Sequence, residues 1–495
     1  MRRTTVLAFV LSCFVASAVL LAQSPQQDWA ARLIAAVLGP SPLEENLRKL
    51  TDEVGGRVPG TEANRRGVAW AIEAFRQAGV DEVHTEKFTI PSSWSEGATR
   101  LEVLSPVPFQ PRAVSIAWSP ATPAGGVEAP VLDLHNGTEA DFARAGAQAR
   151  GALLLVHNPV LRTWADLFNE YAHAPPVIDR ALKTGAAGIL WMASREQGVL
   201  YRHQNSFSGE IDRIPQALMA REDALRISRF IAAGKPVRAR LVMPNRIGGP
   251  IEVENVVAEI RGGDKADEIV ILGAHLDSWE LGSGALDNGC NSALTVEVAR
   301  AIRAAGVKPR RTVRFVLWNG EEQGLLGSWA YVHAHRAELD RVVAYVNFDG
   351  GIGHVTGYSL GGRKEMLDPV GDVLKPVASW GMNEHTLDAS GGTDHVDFLL
   401  EGVPTLSANQ VEGNYLSNYH ATSDTMDKVD IRELKLHAAY AAVTVVGIAN
   451  RDARLAPRQT RAEIEAMLKE TGFEKYMKDF GMWEDWVSGR RGRQP

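Results

Sequence analysis

Residues 268–277 read Glu268-Ile-Val-Ile-Leu-Gly-Ala-His275-Leu-Asp277. An unbroken apolar run that ends in a histidine and an aspartate describes a buried strand with a polar carboxyl end. Side chains alternate along a strand, so His275 and Asp277 share one face. A strand that is apolar on both faces belongs to a parallel sheet covered by helices on each side. In such open sheets, sites form outside the carboxyl ends of the strands. The polar end of this strand is therefore the place to look for chemistry.

The flanking sequence extends the same pattern. Strands are expected at 255–260, 312–318, 342–348 and 404–408, alternating with helices at 292–305, 325–339, 364–379 and 431–449. Closer to the N-terminus, 43–54 and 62–78 suit helices, the second with Val68, Ala69, Ile72 and Phe75 on one face and Gly79 as its C-cap. Between about 106 and 246 the texture changes to short apolar runs at 129–134, 152–156, 187–192 and 237–243, bracketed by Pro- and Gly-containing stretches. That predicts a small β-rich domain inserted into a larger one. The tail from Arg454 carries Phe473, Tyr476, Phe480, Trp483 and Trp486 and is expected to pack as one amphipathic helix, with Arg490-Arg491-Gly-Arg493 as a frayed end.

With 495 residues, the chain exceeds what one core usually organises. A net charge of −7 excludes a general nucleic-acid binder, because no excess of Lys and Arg is present to neutralise phosphate. The first residues, Met-Arg-Arg-Thr-Thr, precede an apolar stretch from Val6 to Ala22 that reads as a cleaved secretory signal. The mature protein is then secreted or periplasmic and holds no membrane anchor. Of two cysteines, Cys13 leaves with the signal and Cys290 stands alone, more suited to packing its helix than to nucleophilic attack.

Other candidate groups fall at the ends of other strands. Asp287 opens a helix within Leu286-Asp287-Asn288-Gly289, where it could bridge two metal ions or simply cap the helix. Glu321-Glu322 follow the 312–318 strand. Adjacent carboxylates in an apolar setting resist joint ionisation, which a metal would relieve, while a solvated turn is the blander reading. Asp349 ends the 342–348 strand, and His420 lies in the polar loop Tyr419-His-Ala-Thr-Ser-Asp424-Thr. His333 and His335 point apart on their helix and do not suit a shared metal.

In this order, H-x-D, L-D-N-G, N-G-E-E, an Asp after a strand and Y-H-x-x-x-D-T resemble the M28 family of metallopeptidases. The similarity spans most of the mature chain. It includes Asp52-Glu-Val-Gly-Gly-Arg-Val-Pro-Gly-Thr-Glu62 and His275-Leu-Asp-Ser-Trp-Glu280. The resemblance implies a mixed, mostly parallel α/β sheet flanked by helices, of the zinc-exopeptidase type, with an inserted β-rich protease-associated domain. It divides the chain into a signal peptide (1–22), a first catalytic part (23–110), the insertion (111–246), the main catalytic part (247–453) and a helical tail (454–495). It also implies two zinc ions per chain. One would be held by His275, Asp287 and Asp349, the other by Asp287, Glu322 and His420. Glu321 would be the general base acting on the attacking water, Asp277 would orient His275, and Tyr419 would steady the oxyanion. The segment Gly391-Gly-Thr-Asp394-His395-Val-Asp-Phe398 resembles one near the family's specificity pocket, leaving His395 either substrate-facing or structural. The expected substrate is a dipeptide or short peptide, and relatives suggest a homodimer. Two other readings are a glutaminyl-cyclase-like enzyme with one zinc and a non-catalytic peptide-binding protein. The complete two-metal set disfavours the first and the intact Glu321 the second.

Overall fold

The computed structural model describes residues 25–494; the signal segment expected at residues 1–22 lies outside them. Strand Lys265–His275 sits in the middle of a seven-stranded sheet whose order is Glu82–Ile90, Ile251–Ile260, Arg311–Trp318, Lys265–His275, Val342–Asn347, Thr405–Gln410, Val355–Ser359. Its two neighbours run parallel to it, and Thr405–Gln410 runs parallel to Val342–Asn347. The outer pairings are antiparallel. Five strands thus run in one direction, but half of the neighbouring pairs are antiparallel, because both flanks of the sheet close with reversed strands.

The central strand is buried on both sides because its residues divide by period two. Val270, Leu272 and Ala274 enter one core with helices Glu62–Ala78, Cys290–Ala304 and Ile431–Asn450. Ile269 and Ile271 face the other way, against Trp318, Tyr331 and Phe398. Helix Leu326–Ala334 is shorter than the sequence pattern suggested, and the expected 364–379 helix is split, with only Leu367–Leu374 winding as an α-helix.

A second seven-stranded sheet comes entirely from residues 100–242. Its central strands Val127–Asp133, Leu153–His157, Gly188–Met192 and Gln216–Met219 are parallel. Helix Trp164–Thr184 packs on one face and helix Arg221–Ala232 on the other. This region is therefore a layered α/β unit rather than the β-rich one expected. Pro175 and Pro176, residues that ordinarily interrupt a helix, lie inside the 21-residue helix, whose start is fixed by a capping box between Thr163 and Asp166.

The tail is likewise different from the expected single helix. It forms three short ones, Arg461–Glu470, Phe473–Asp479 and Trp483–Val487, separated by turns at Gly472 and Gly481. Its basic end is not frayed: Arg491 is buried, with a bidentate pair to Asp397 at 2.7 and 2.9 Å. Among the described residues, no helix is long and apolar enough to cross a membrane.

Candidate metal centre

Strand register aligns the carboxyl ends: His275 lies opposite Trp318, and Gly273 opposite Asn347. Three residues past Trp318 and two past Asn347 come Glu321 and Asp349, so groups distant in sequence meet at one edge. His275 Nε2 lies 3.1 Å from Asp287 Oδ1 and 3.3 Å from Asp349 Oδ1. His420 Nε2 lies 3.2 Å from Asp287 Oδ2 and 2.9 Å from Glu322 Oε2. Each carboxylate oxygen of Asp287 thus faces a different imidazole. The five side chains form two groups, His275–Asp287–Asp349 and Asp287–Glu322–His420, each with ligand atoms within 4.8 Å of one another.

These spacings can be weighed against coordination chemistry. Bonds of about 2.0–2.1 Å in tetrahedral geometry set ligand atoms roughly 3.3 Å apart, close to the four distances above. Asp287 Oδ2, Glu322 Oε1 and Asp349 Oδ1 are buried without any hydrogen-bond partner. Orphaned carboxylate oxygens in a desolvated place are costly unless a cation satisfies them. The other ring nitrogens are already engaged: His275 Nδ1 faces the Asp277 carbonyl at 3.0 Å, and His420 Nδ1 the Arg202 carbonyl at 2.9 Å. Carbonyls accept, so Nδ1 carries the proton in both rings and Nε2 offers its lone pair to the centre. The donor set of two imidazoles and three carboxylates suits a pair of zinc-like ions.

The electrostatics agree. Burial drives the Glu321 carboxyl well above its usual range, and the charges of Asp349 and Glu322 add to it. Burial likewise lifts Glu322 to about 7. Burial opposes protonation of His420, yet the charges of Glu322 and Asp287 raise it to about 9. Too many negative groups crowd one dry place, and they claim protons where a divalent cation would serve.

Several residues hold this arrangement. Asp277 is fully buried and accepts from the backbone N–H groups of Glu321 and Glu322 at 3.4 and 3.3 Å, while its Oδ1 lies 3.7 Å from His275 Nδ1. Asp424 accepts from the N–H groups of Ala285, Leu286 and Asp287 at 3.1, 2.7 and 3.2 Å, which fixes the backbone of the bridging aspartate. Behind it, buried Arg57 donates to the carbonyls of Gly55, Leu276, Ser283 and Gly284. Gly324, at φ +115°, turns the chain after the two glutamates; a Cβ there would lie 2.3 Å from the Phe207 carbonyl.

The second sheet's unit contributes directly. Arg202 N–H donates to the His420 carbonyl and Thr422 N–H to Leu200, each at 2.9 Å, so segments 200–203 and 420–422 clasp one another. Tyr171 Oη and His203 Nδ1 lie 3.4 and 3.3 Å from His420 Nδ1. Arg202 is itself buried between Glu96 and Glu280.

Beside the metal-ligand candidates opens a cleft of about 1060 Å³ lined by Glu321, Tyr419 and a set of aromatic rings. Phe168 and Tyr171 come from helix Trp164–Thr184, and Tyr476 and Phe480 from the tail; Phe168 stands edge-on to both tail rings. Tyr476 fits only because position 391 is glycine, where a Cβ would come within 2.4 Å of the ring.

The structure therefore gathers His275, Asp287, Glu322, Asp349 and His420, with Glu321, Asp277 and Tyr419 around them. His395 is placed elsewhere: it is buried, its Nε2 donates to the Ser390 carbonyl at 2.9 Å, and it does not line the cleft. Cys290 is buried in the main core. His335 pairs with Glu86 and Glu338 instead of a metal. The parts that Asp424, Arg57, Arg202 and the tail aromatics play at the site escaped the sequence reading. Asp424 had a signal, an aspartate in the same polar loop as His420; the others act across distances that no local pattern encodes.

Residues 255–445 match the sequence model of Peptidase family M28. Carboxypeptidase Q of Mus musculus is 28% identical over 417 residues, which cover 83% of this chain and 86% of that protein. A probable leucine aminopeptidase 2 of Aspergillus fumigatus is 26% identical, over 93% of this chain and 95% of the relative. The crystal structure of a Peptidase M28 precursor from Shewanella amazonensis SB2B is 29% identical with a TM-score of 0.79, covering 88% of this chain and 99% of that one. A zinc aminopeptidase from Bacillus subtilis, 20% identical, shares the fold with a TM-score of 0.66 over 85% of this chain and 97% of its own. The matched segment contains every residue of the two metal-ligand groups, and the chain is a metallo-exopeptidase similar to those of peptidase family M28.

Proposed function

We propose that this protein is an exported two-zinc exopeptidase that removes residues from the free amino end of dipeptides and short peptides. The observation that carries the metal reading is the double use of Asp287, one oxygen toward each imidazole. His275, Asp287 and Asp349 would hold one zinc and Asp287, Glu322 and His420 the other; the ions, when bound, supply positive charge that polarises the scissile carbonyl and acidifies water. Glu321, half-buried at the cleft and outside both ligand groups, takes the proton of the attacking water and returns it to the departing amine. Tyr419 donates its hydroxyl hydrogen to the carbonyl oxygen as that oxygen gains charge. Asp277 keeps His275 and the two glutamates in place. Export rests on the N-terminal signal pattern alone. The layered unit over the cleft is proposed to be the inserted protease-associated domain.

The preference for the amino end follows from the charges of the cleft. Its lining includes Glu210, Glu384, Asp388 and Glu412, whereas Arg490 and Arg491 are the only Lys or Arg side chains among the described lining residues. Both are already paired, Arg490 with Asp485 and Arg491 with Asp397. A substrate ammonium would meet carboxylates, and a substrate carboxylate would meet no free cation. Roofing by aromatic rings further suits short peptides over folded chains. A panel of short peptides with each end blocked in turn tests this reading: N-acetylation should abolish hydrolysis and C-amidation should leave it. The opposite pattern would make it a carboxypeptidase. Metal analysis should find two zinc ions at the catalytic centre, and a single one there would favour the cyclase-like alternative.

A further inference from the structure

A second group of side chains able to ligate a metal lies in the other sheet, away from the residues just described. Asp133 ends strand Val127–Asp133 and His157 ends the adjacent parallel strand Leu153–His157. His135 follows Asp133 by two residues with φ +50°, a conformation uncommon for a residue with a side chain. The His157 N–H donates to the His135 carbonyl at 2.6 Å, and the His135 N–H to Asp133 Oδ1 at 2.9 Å. The backbone thus pins the three residues together. Asp133 Oδ1 lies 2.9 Å from His157 Nε2 and 3.7 Å from His135 Nδ1. These atoms all fall within 4.8 Å of one another.

We infer that Asp133, His135 and His157 form a structural site for a divalent transition-metal ion, with zinc as the best-suited one. Ligand separations of 2.9 and 3.7 Å bracket the roughly 3.3 Å that tetrahedral zinc requires. Two imidazole nitrogens and one carboxylate oxygen select zinc, copper or nickel over calcium or magnesium, which prefer oxygen alone. The Asp133 side chain is nearly buried and its Oδ2 accepts from Ser228 Oγ at 2.5 Å, so it is oriented by helix Arg221–Ala232 before any ion arrives. His135 stands exposed at the rim and gives an ion access from solvent. Bound there, the ion ties two strand ends and the loop between them.

The test compares zinc content after the full-length protein and its variants are stripped with chelator, equilibrated with micromolar zinc chloride and freed of excess. His135→Asn changes an exposed residue to one that tolerates positive φ, and His157→Gln supplies a second, independent lesion. Each should hold one zinc ion fewer than wild type while keeping wild-type peptidase activity, since neither residue lies in the catalytic cleft. Equal zinc content in wild type and both variants overturns the inference. Because the readout is a difference, it stands whether the catalytic centre holds one ion or two, and activity follows that centre separately.

Discussion

Glu321 and Glu322 are neighbours in sequence that face different places. Glu322 reaches His420 at 2.9 Å and belongs to a ligand group, while Glu321 faces the cleft. Glu321→Gln keeps the shape and removes the proton acceptor, so it should retain bound zinc and lose turnover by about 10²–10⁴-fold, the usual worth of general acid–base help. Wild-type kcat in that variant would remove Glu321 from the mechanism. A second single-residue test concerns stability. Hydrogen bonds to Glu338 and Glu86 raise His335 to about 9, above the ordinary histidine value of about 6.5. Its contribution is therefore complete below pH 6.5 and lost as pH rises through 9. His335→Gln should lower unfolding free energy by about 1–3 kcal/mol at pH 6 and by much less at pH 10, measured by urea titration. Individual side chains were the most legible scale in the sequence. His275, Asp287, Glu322, Asp349 and His420 each stand beside a strand end or in a polar loop, where their chemistry is out of keeping with the apolar run before them. Asp424 and Arg57 were harder to see, because they act on backbone groups, and a carboxylate that binds N–H groups looks in sequence like any other loop aspartate.

Among elements, the tail and helix Trp164–Thr184 depart most from the pattern of residues. Helical period and the Gly79 C-cap matched Glu62–Ala78, and the structure adds Thr61 as its N-cap. The same reasoning misread the tail, whose aromatics are spread over separate short helices and serve as a wall of the cleft. It also missed helix Trp164–Thr184, where paired prolines outweigh the local signal until packing against the second sheet overrides them. The anchor of the tail is the buried pair Arg491–Asp397. Arg491→Met leaves Asp397 buried and uncompensated, which should cost about 3–5 kcal/mol in thermal or denaturant unfolding. It should also raise KM, as Tyr476 and Phe480 lose their seat. Adding Asp397→Leu should restore much of the stability; a double variant no better than the single one would show that the pair is not what holds the tail.

For the whole molecule, the clasp between segments 200–203 and 420–422 joins the two sheets at a metal-ligand candidate. Neither sheet's unit can open there without disturbing His420. Scanning calorimetry of the metal-loaded protein should therefore show one cooperative transition, and two well-separated ones would mean that the clasp is weak. The overall layering was readable from alternating strands and helices. The interlocking was not, since it consists of backbone hydrogen bonds between loops more than two hundred residues apart.

The edge of the first sheet has a consequence for how the chain is assembled. Glu82–Ile90 and Ile251–Ile260 pair in antiparallel register, with Ile90 opposite Ile251, so they make a hairpin whose turn is an entire folded unit of about 160 residues. Closing so long a turn from a random coil would cost about 4–5 kcal/mol in chain entropy. At the neck of that turn, Arg100 lies opposite Val242, which brings the two exits side by side. If the intervening unit folds first, it hands the two edge strands to each other already adjacent, and the peptidase half inherits a nearly finished hairpin during synthesis.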